Sequence, residues 1–356
     1  MIDSTQGRES SFSSPQPGVS VIVPIRNEQQ YIERSISAVL RQDYPKEKIE
    51  VIVVDGMSDD GTRQIVQTII DRESKNNMRL RIALLDNPSR IVPAALNIGL
   101  AYAQGAIMVR VDGHCEIPSA YIRRCVDLLA HTGADCVGGM QCAVSETTVG
   151  KAIALATSSP FGAGNAYFRY ATKPGWVDTV YLGTYQRVIF ERIGMFDEEL
   201  VRNQDDEFNF RLIQAGGKIW FDPALSVRYY SRSTLARLWR QYFQYGFYKV
   251  RVIQKRNAIP SFRHIVPPLF VAALLASFLV GLVTRNNFLA LIVGCPYLVL
   301  NVIFSAWVAR RLPFTLFFLP FVFTIIHISY GLGFLTGLWR FRRNNKPHQT
   351  HTTGAL

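Results

Sequence analysis

Charged residues are almost absent from one long part of this sequence. Between Ile265 and Trp339 they are limited to Arg285, Arg310 and Arg311. These arginines separate three uncharged segments, at 265–284, 286–309 and 312–339. Each segment has the roughly 20 residues needed to cross a hydrocarbon core about 30 Å thick. A helix buried in a soluble protein would be shorter and would normally carry a polar face. The sequence therefore predicts a membrane region here.

Two further features concern the cysteines and the N-terminal residues. The five cysteines are an odd number without metal-ligand spacing, which disfavours a disulfide framework and favours a reducing compartment. They are Cys115, Cys125, Cys136, Cys142 and Cys295. Residues 1–17 are rich in Ser, Pro and Gln and lack the apolar core of a signal peptide. We expect a disordered N-terminal lead and a hydrophilic domain that faces the cytosol.

Two common nucleotide-binding motifs are also absent. No G-x-G-x-x-G motif follows the first predicted strand, and no G-x-x-x-x-G-K-[ST] motif occurs. A Rossmann dinucleotide site and a P-loop are therefore disfavoured. The first half of the chain instead alternates strand and helix patterns, with strands predicted at 19–24, 50–54, 80–85 and 106–111. This order predicts an α/β domain with a parallel sheet and right-handed crossovers.

Much of the net charge of +12 lies beside the membrane region. The flanking basic residues are Lys249, Arg251, Lys255, Arg256 and Arg263 before it, and Arg340, Arg342, Arg343 and Lys346 after it. Such clusters suit an anionic cytoplasmic leaflet, so they favour a membrane over nucleic acid as the partner. The predicted parts of the chain are a disordered lead at 1–17, an α/β domain at 18–231, a basic amphipathic interface region at 232–263, the membrane region at 264–339 and a basic tail at 340–356.

Polar residues follow three of the predicted strands. Asn27 and Glu28 come after the first strand, Asp55 after the second and Asp112 after the fourth. The carboxyl ends of parallel strands meet at one edge of the sheet, where ligands bind in α/β folds. A single residue of this kind is usually a turn or cap residue, and Asn27 can cap the helix that follows it. Three strand ends in succession favour a ligand crevice.

Asp112, Gly113 and His114 form a candidate metal site. A carboxylate at this strand end could hold a divalent cation, Mg²⁺ or Mn²⁺, that bridges two phosphates and neutralises a departing diphosphate. Both ions prefer oxygen ligands, and magnesium tolerates an imidazole less well than manganese does. The alternative is that Asp112 only caps a turn before Pro118.

A second acidic cluster precedes an apolar helix pattern. It consists of Asp205, Asp206 and Glu207. Acidic residues favour a helix N-terminus through its dipole, which is the simpler interpretation. Three adjacent carboxylates exceed that need, and their repulsion would raise the pKa of at least one towards the range of a general base. Arg211, about one turn further on, could orient or screen them.

A basic and aromatic run precedes the membrane region. Helical spacing places Arg237, Arg240 and Gln241 on one face. Guanidinium groups pair bidentately with phosphate, so the run is a candidate clamp for a diphosphate or a lipid phosphate. Membrane-surface binding by an amphipathic helix is the alternative, and both can hold at once. The candidate phosphate contacts are Arg232, Arg237, Arg240, Gln241 and Lys249.

Four motifs occur in an order and spacing that resemble a known family. They are VIVPIRNE at 21–28, VVDGMSDDGT at 53–62, VDGH at 111–114 and QD at 204–205. The chain is similar to the family 2 glycosyltransferases with a GT-A fold, and within them to bacterial exopolysaccharide enzymes of the succinoglycan biosynthesis ExoA type. The resemblance covers roughly residues 18–255. It implies a GT-A nucleotide-diphospho-sugar transferase domain, with a mainly parallel sheet flanked by helices, followed by C-terminal transmembrane helices.

The resemblance implies an inverting mechanism with Asp205 as the catalytic base. Asp206 and Glu207 would be supporting acids, and Gln204 replaces the Glu of the family's Glu-Asp pair. The Q-x-x-R-W motif of processive synthases is absent, which favours the addition of one sugar per visit. The implied activity is that of a hexosyltransferase in exopolysaccharide biosynthesis.

The resemblance also implies binding residues. The metal ligands would be Asp112 and His114, and Glu116 is a further candidate because His114 replaces the second Asp of the family's DxD motif. Contacts to the nucleotide-sugar would come from Pro24, Arg26, Glu28, Asp55, Asp112 and Gly113. The acceptor side would comprise Ser159, Gly162, Gly164, Asn165, Trp176 and Tyr185. Core packing explains Trp176 and Tyr185 equally well.

The implied partners are a nucleotide-sugar donor, with UDP-glucose suggested by the resemblance, and a lipid-linked saccharide acceptor. Other exopolysaccharide assembly enzymes are further candidates. Two alternatives stay open at this point. One is a polyprenyl-phosphate glycosyltransferase, which makes a lipid monophosphate sugar on the same fold. The other is a non-catalytic membrane protein with a nucleotide-sensing domain.

The expected location is the inner membrane of a bacterial cell, as a multi-pass protein with a cytoplasmic catalytic domain. Three complete spans would place the tail cations outside, against the positive-inside rule. The segment 312–339 contains Pro313 and Pro320 and the glycines Gly331, Gly333 and Gly337. It could therefore bend back, so we expect two full spans followed by a re-entrant or interfacial segment.

Overall fold

The computed structural model describes residues 16–75, 80–164, 166–231, 234–259 and 261–342. The predicted N-terminal lead up to residue 15, the candidate residues Asn165 and Arg232, and the tail from 343 onwards lie outside the described residues. Within these ranges the strands are β1 (Val19–Ile25), β2 (Ile49–Asp55), β3 (Arg81–Asp86), β4 (Ile107–Arg110), β5 (Cys115–Glu116), β6 (Cys136–Gly139), β7 (Gln141–Val144), β8 (Gly175–Val177), β9 (Tyr181–Gln186), β10 (Ile219–Phe221) and β11 (Val227–Tyr230).

Helices separate and follow these strands, and several form the C-terminal part of the protein. Within the described ranges they are α1 (Ile32–Leu40), α2 (Thr62–Lys75), α3 (Val92–Tyr102), α4 (Tyr121–Thr132), α5 (Thr148–Thr157), α6 (Pro160–Ala163), α7 (Val188–Ile193), α8 (Gln204–Gln214), α9 (Leu235–Arg256), α10 (Val266–Thr284), α11 (Phe288–Ala309) and α12 (Leu319–Phe341).

The main sheet confirms the predicted α/β architecture. Its strand order is β3-β2-β1-β4-β9-β6-β10-β8. The first four of these strands are parallel, and β9 is inserted antiparallel between β4 and β6. β1 and β2 are buried along their whole length, which explains why both are apolar on both faces. The carboxyl ends of β1, β2 and β4 therefore meet at one edge of the sheet.

Side chains of β1 and β2 alternate between two hydrophobic clusters. Val21 and Val23 belong to a cluster that includes residues of α1, α2 and α4. Ile22 and Ile52 belong to a second cluster, which includes residues of α3, α7 and α8. Because successive strand residues point to opposite faces, the sheet is the middle layer of three.

A small second sheet supports the loop that follows β4. Its order is β5-β11-β7, with β11 antiparallel to β5 and parallel to β7. The backbone N–H of Tyr230 donates to the carbonyl oxygen of His114 at 3.1 Å. The segment after Asp112 is thus fixed by strand pairing and does not form a free loop.

α9 leaves the α/β domain and packs against α12. A Cβ atom added at Gly246 would lie 2.0 Å from the carbonyl oxygen of Tyr330, and one at Gly333 would lie 2.0 Å from that of Phe243. These glycines therefore allow the two backbones to approach closely. The contacts of Phe243 with Gly333, of Phe247 with Gly337 and of Arg251 with the ring of Phe341 advance together along both helices, so α9 and α12 run in the same direction.

The third apolar segment differs from the re-entrant hairpin expected of it. It forms one continuous helix of 23 residues, α12, preceded by a 3₁₀ turn at Pro313–Thr315. Pro313 initiates that turn, and Pro320 lies in the first turn of α12, where the missing N–H leaves no hydrogen bond unmade. Gly333 packs against α9 and does not bend the chain. The re-entrant expectation is therefore wrong, because these residues start and pack a helix.

Helices α10, α11 and α12 are each long and apolar enough to cross a membrane. They are not equally covered by protein. In the most apolar 18-residue stretch of each helix, the buried share is 22% for α10 and 11% for α11, against 44% for α12. α12 packs against α9 and also against α5, α6, α10 and α11, whereas α10 and α11 expose side chains such as Leu282 and Val302. The interfacial alternative for this third segment is therefore compatible with its packing.

Candidate functional site

The loops after β1 and β2 are joined through Asn27. Its side-chain amide donates to the carboxylate of Asp59 at 2.7 Å and accepts from the N–H of Asp59 at 3.0 Å. Asn27 itself adopts a left-handed conformation with φ 55°, which Asn tolerates better than most residues. It does not cap α1, which begins at Ile32 without a side-chain cap. The cap prediction is wrong, and Asn27 connects two strand ends instead.

Asp55 lies at the end of β2 with 1% of its side chain exposed. Its carboxylate accepts from the hydroxyl of Ser58 at 2.6 Å and lies 3.1 Å from the guanidinium of Arg63. Arg63 also pairs with Asp86 at 2.6 Å. Asp55 thus fixes the loop around the sheet edge, and its neighbour Gly56 reaches the cavity described below.

Asp112 and Asp205 are brought together by Arg110. Arg110 donates to the carboxylate of Asp112 through Nε at 2.7 Å and Nη2 at 3.2 Å. Its Nη1 lies 3.7 Å from Asp205 Oδ2. Burial alone would lower the pKa of Arg110, but the two carboxylates outweigh it and hold that pKa above its ordinary value. Arg110 therefore stays charged between the two acids that the sequence singled out.

Sequence reasoning missed Arg110, although a signal was present. Arg110 is the last residue of a strand whose other residues, Ile107 to Val109, are buried. It precedes Asp112 by two positions, and residues two apart on a strand share a face. A lone charge at the end of an apolar strand, two residues before a candidate metal ligand, is a pattern that could have identified it.

His114 lies beside Asp112 and is held by Glu28. Ligand atoms of Asp112, His114 and Cys115 lie within 4.8 Å of one another. Glu28 Oε1 is 2.9 Å from His114 Nδ1, and each side chain is 17% exposed. Burial raises the pKa of the Cys115 thiol well above its ordinary value, and its Sγ lies 2.7 Å from the Tyr181 hydroxyl. A protonated thiol is a poor ligand, so the useful donors are Asp112 and His114.

This donor set fits a divalent cation of the manganese type. One carboxylate and one imidazole leave the remaining coordination positions to water and phosphate oxygens, which is how such ions meet nucleotide substrates. Glu116 does not join these donors. Its carboxylate accepts from the Tyr230 hydroxyl at 3.0 Å and lies 3.4 Å from Arg228. Pairing of β5 with β11 turns Glu116 towards those partners, so its proposed role as a substitute ligand is not supported.

Each acid of the second cluster has its own cation. Asp205 faces Arg110, while Asp206 pairs with Lys249, whose side chain is 4% exposed. Glu207 is fully buried and pairs with both Arg211 and Arg256. The expected repulsion among the three carboxylates is thus relieved by these ion pairs. Asp205 is the most accessible of them, with 46% of its side chain exposed.

A single cavity of about 990 Å³ connects the strand ends with the membrane helices. At one end it is lined by Arg110, Asp112 and Asp205. At the other it is lined by apolar residues of α10 and α11 such as Phe270 and Leu300. Other candidates on its wall are Pro24, Arg26, Glu28, His114, Gly162, Gly164, Asp206, Gln241 and Lys249. The cavity therefore reaches both the polar centre and the hydrophobic region.

The candidates for the acceptor side separate into three groups. Gly162 and Gly164 line the cavity, and Ser159 caps α6 by accepting from the N–H of Gly162 at 3.3 Å. Tyr185 is a core residue, 4% exposed, whose hydroxyl donates to Asn209 at 2.8 Å. Trp176 lies on the edge strand β8 and is 53% exposed. Neither aromatic residue reaches the cavity, so the core alternative describes Tyr185, and Trp176 is a surface residue.

The basic run on α9 is divided between the cavity and the surface. Gln241 and Lys249 line the cavity, and the amide of Gln241 donates to the Tyr245 hydroxyl at 2.8 Å. Arg237 and Arg240 are exposed and are not among the cavity residues. The helical face predicted from spacing is therefore split, because α9 turns one side towards the active centre and the other outwards.

Two further arginines line the cavity without a carboxylate partner among the described residues. Arg169 lies over the ring of Phe168 and donates to the carbonyl oxygen of Thr157 at 3.5 Å. Arg202 donates through Nε to the side chain of Gln244 at 3.1 Å. No sequence motif marked either residue. The position of Arg202 follows from the contact of the segment before α8 with α9, and that of Arg169 from the contact of its turn with the end of α5.

The membrane end of the cavity also contains a polar network. His327 on α12 lies 3.1 Å from the Tyr297 hydroxyl and 2.8 Å from the carbonyl oxygen of Phe161. Asn301 donates to Thr324 at 3.0 Å. Polar side chains within membrane helices usually face a protein interior or a cavity, and these do so. The network links α6, α11 and α12 at the cavity floor.

Comparison with known proteins agrees with this geometry. Residues 20–194 match the family model described as glycosyl transferase family 2. The succinoglycan biosynthesis protein ExoA of Rhizobium meliloti is 30% identical over 330 residues, which is 91% of this chain and 96% of that protein. A dolichyl N-acetyl-α-D-glucosaminyl phosphate 3-β-D-2,3-diacetamido-2,3-dideoxy-β-D-glucuronosyltransferase of Methanococcus voltae is 26% identical, over 90% of this chain and 97% of that enzyme.

A solved structure shares the fold along most of the chain. The mannosyltransferase PcManGT of Pyrobaculum calidifontis, determined with GDP-Man and Mn²⁺, superposes with a TM-score of 0.60 at 21% identity. The match covers 91% of this chain and 88% of that one. Together with the strand order, this likeness confirms the predicted GT-A-like α/β domain.

Proposed function

The chain belongs to glycosyl transferase family 2, and on this basis we propose that it transfers one sugar per visit, with inversion, from a nucleotide-diphosphate sugar to a lipid-linked saccharide. The enzyme is a glycosyltransferase of the hexosyltransferase class. The donor suggested by the family resemblance is UDP-glucose, and the proposed pathway is the assembly of an exopolysaccharide. Family membership, and the presence of Asp112 and Asp205 where the family resemblance expects acids, disfavour the alternative of a non-catalytic nucleotide sensor.

The cavity is the observation that supports this proposal most strongly. It brings Asp205 and Asp112 into one space with the apolar residues of α10 and α11. A soluble acceptor would not need an approach lined by membrane helices. An acceptor anchored by a hydrocarbon chain could place its saccharide beside Asp205 while its lipid stays near Phe270 and Leu300.

The residues at the strand ends suit transfer chemistry. Asp205 would accept the proton of the acceptor hydroxyl while that oxygen attacks the anomeric carbon from the side opposite the diphosphate. Arg110, held between Asp112 and Asp205, would stabilise negative charge on the departing diphosphate. Asp112 and His114 would hold a divalent cation, which supplies further neutralisation of that charge. The Mn²⁺ in the PcManGT structure supports a metal-dependent reaction.

The names of the two relatives support a lipid-linked acceptor. One is named for succinoglycan biosynthesis, and the other for extending a sugar already attached to dolichyl phosphate. Both match this chain along nearly their full length. Lipid-linked saccharide is therefore preferred here over bare polyprenyl phosphate as the acceptor.

We further propose that α10 and α11 span the inner membrane and that α12 lies at its cytoplasmic surface. Cations of α9 pair with carboxylates of the α/β domain, including Lys249 with Asp206 and Arg251 with Glu199. Ion pairs of this kind belong outside the hydrocarbon core. Because α12 runs beside α9, an interfacial α12 keeps both outside and returns the basic tail to the cytoplasm, as the positive-inside rule requires.

Cysteine accessibility tests this topology. We expect His348→Cys in intact cells to resist a membrane-impermeant maleimide, and Asn286→Cys, in the turn between α10 and α11, to be labelled. Both variants should be made in a background without Cys295, which is exposed. Labelling of the cysteine at 348 in intact cells would show that α12 crosses the membrane as well.

A transfer assay tests the activity. The purified full chain is incubated with Mn²⁺ and a panel of radiolabelled nucleotide-sugars, with either polyprenyl-diphosphate-linked saccharide or polyprenyl phosphate as acceptor. We expect label in the lipid-linked saccharide, with inverted anomeric configuration. Labelling of polyprenyl phosphate alone would replace the proposed acceptor and leave the family assignment unchanged.

A further inference from the structure

We infer that Glu28 is a positioning residue for the metal site: it holds His114 in the tautomer that can bind a divalent cation. This inference rests on the metal part of the proposed function. It gives Glu28, on the loop after β1, a role different from the nucleotide contact implied by the resemblance.

The hydrogen bond between the two side chains defines the tautomer. Glu28 Oε1 lies 2.9 Å from His114 Nδ1. A carboxylate can only accept at this distance, so the proton of a neutral imidazole is on Nδ1 and the lone pair is on Nε2. Among the described residues no hydrogen bond is made at Nε2. A metal-binding histidine oriented in this way by a carboxylate gains basicity and a fixed ring plane.

Neighbouring residues leave little freedom to this arrangement. The ring of Tyr229 packs edge-on against His114, with 5.0 Å between the ring centroids. A Cβ atom on Gly113 would lie 3.1 Å from Cγ of Glu28 and 2.9 Å from Cγ2 of Ile25. Gly113 therefore provides the space in which Glu28 crosses to His114. The backbone N–H of Glu28 donates to the hydroxyl of Thr62 at 2.8 Å, which fixes its main chain independently of its carboxylate.

The substitution of an imidazole for the second acid of a DxD motif explains why such a residue is needed. A carboxylate presents two equivalent oxygens and tolerates rotation, whereas an imidazole binds only through one nitrogen and in one plane. An imidazole also suits Mn²⁺ better than Mg²⁺. The Glu28–His114 pair should therefore make the site both orientation-dependent and selective for manganese.

The test is a double-mutant cycle on metal affinity, measured without turnover. Mn²⁺ is titrated into the detergent-solubilised full chain, alone and with UDP or GDP, and free Mn²⁺ is followed by electron paramagnetic resonance. We expect Glu28→Ala to weaken Mn²⁺ binding by roughly 10–100-fold, and Glu28→Gln, which keeps an acceptor oxygen, by less. In a His114→Asp background, Glu28→Ala should change the affinity by no more than about twofold, because no imidazole remains to be oriented.

A matched control removes a carboxylate from the exposed side of the neighbouring helix. Glu33→Ala should bind Mn²⁺ as the wild type does. Competition by Mg²⁺ gives a second measurement, in which His114→Asp should lower the ratio of the affinity for Mn²⁺ to the affinity for Mg²⁺. Thermal unfolding of each variant reports whether the fold is kept.

The outcomes distinguish this inference from the proposed function. Wild-type protein that binds no Mn²⁺ would overturn both the metal proposal and the role of Glu28. Wild-type binding with an unchanged affinity in Glu28→Ala would overturn the role of Glu28 alone. Equal losses from Glu28→Ala in the wild-type and His114→Asp backgrounds would also overturn it, since the effect would not pass through the imidazole.

Discussion

Two groups of residues on the cavity wall differ in how their charges are paired. One group is the acidic centre, which comprises Glu28, Asp112, His114, Asp205 and Asp206. Each carboxylate there lies beside a basic side chain, as Asp112 does beside Arg110. A second group of cavity residues, here named the membrane wall because two of its members lie on α11 and α12, comprises Arg169, Arg202, Tyr297 and His327. Its two arginines have no carboxylate partner among the described residues, and its other polar groups are bonded to one another or to the backbone.

This difference suggests a division of work between the two groups. The ion pairs of the acidic centre hold Asp112, Arg110 and Asp205 together before any substrate arrives. Unpaired guanidinium groups at the membrane wall keep donors available for an anion, and phosphate is the anion that guanidinium binds best. The acidic centre is thus suited to the transfer step, and the membrane wall to holding the phosphate of a lipid-linked acceptor.

The largest expected effect comes from Asp205. Asp205→Asn removes the proposed base and should lower sugar transfer by roughly 10²–10⁴-fold, while binding of the nucleotide stays intact. The measurement is radiolabelled transfer beside nucleotide binding by calorimetry. Glu191→Gln, an exposed position on α7, is the control. Transfer at the wild-type rate in Asp205→Asn would show that Asp205 is not the base and would contradict the assignment of the transfer step to the acidic centre.

Breaking the Lys249–Asp206 pair should mainly affect stability. Lys249→Met leaves the carboxylate of Asp206 largely buried without its cation and should cost about 3 kcal/mol. Lys249→Met combined with Asp206→Asn should recover part of that loss, since the carboxylate that lost this cation is then also removed. Thermal unfolding in detergent measures both, with Arg240→Met as an exposed control. Equal unfolding temperatures for the single and double variants would show that Asp206 has another source of compensation.

A smaller and more selective effect is expected at the membrane wall. Arg169→Ala removes a charge-assisted contact worth about 1.5–3 kcal/mol and should raise the KM for the lipid-linked acceptor by at least tenfold. The KM for the nucleotide-sugar should not change. Arg237→Ala, on the outer side of α9, is the matched control and should leave both constants unaltered. A raised donor KM in Arg169→Ala would instead assign this arginine to the acidic centre.

The parts of the structure that could be predicted are those set by local pattern. β1 and β2 are recognisable because uninterrupted apolar runs such as Val51 to Val54 are typical of strands buried on both faces. The acidic and amide residues after them fall at one sheet edge because the strands are parallel. The three long apolar helices α10, α11 and α12 follow in the same way from length and composition. Each of these features depends on neighbours close in sequence.

The parts that could not be predicted depend on partners distant in sequence. Besides its pair with Arg211 one turn away, Glu207 pairs with Arg256 on α9, and nothing near Glu207 in the sequence indicates this second pair. Gly333 looks like a helix breaker in isolation but packs against the backbone of Phe243. The pairing of Glu28 with His114 joins residues separated by 86 positions. Such contacts become visible only once the sheet and the helix packing are known.

Photocrosslinking tests most directly the central claim, that one cavity delivers a membrane-held acceptor to Asp205. p-Benzoylphenylalanine is introduced on α11 either at Tyr297, which lines the cavity, or at Val299, which is 58% exposed. Tritiated polyprenyl-diphosphate-linked saccharide is then added and irradiated. We predict crosslinking from position 297 that unlabelled acceptor competes away, and only weak, uncompeted crosslinking from position 299. Equal crosslinking at both positions, or crosslinking at 299 alone, would contradict delivery through the cavity.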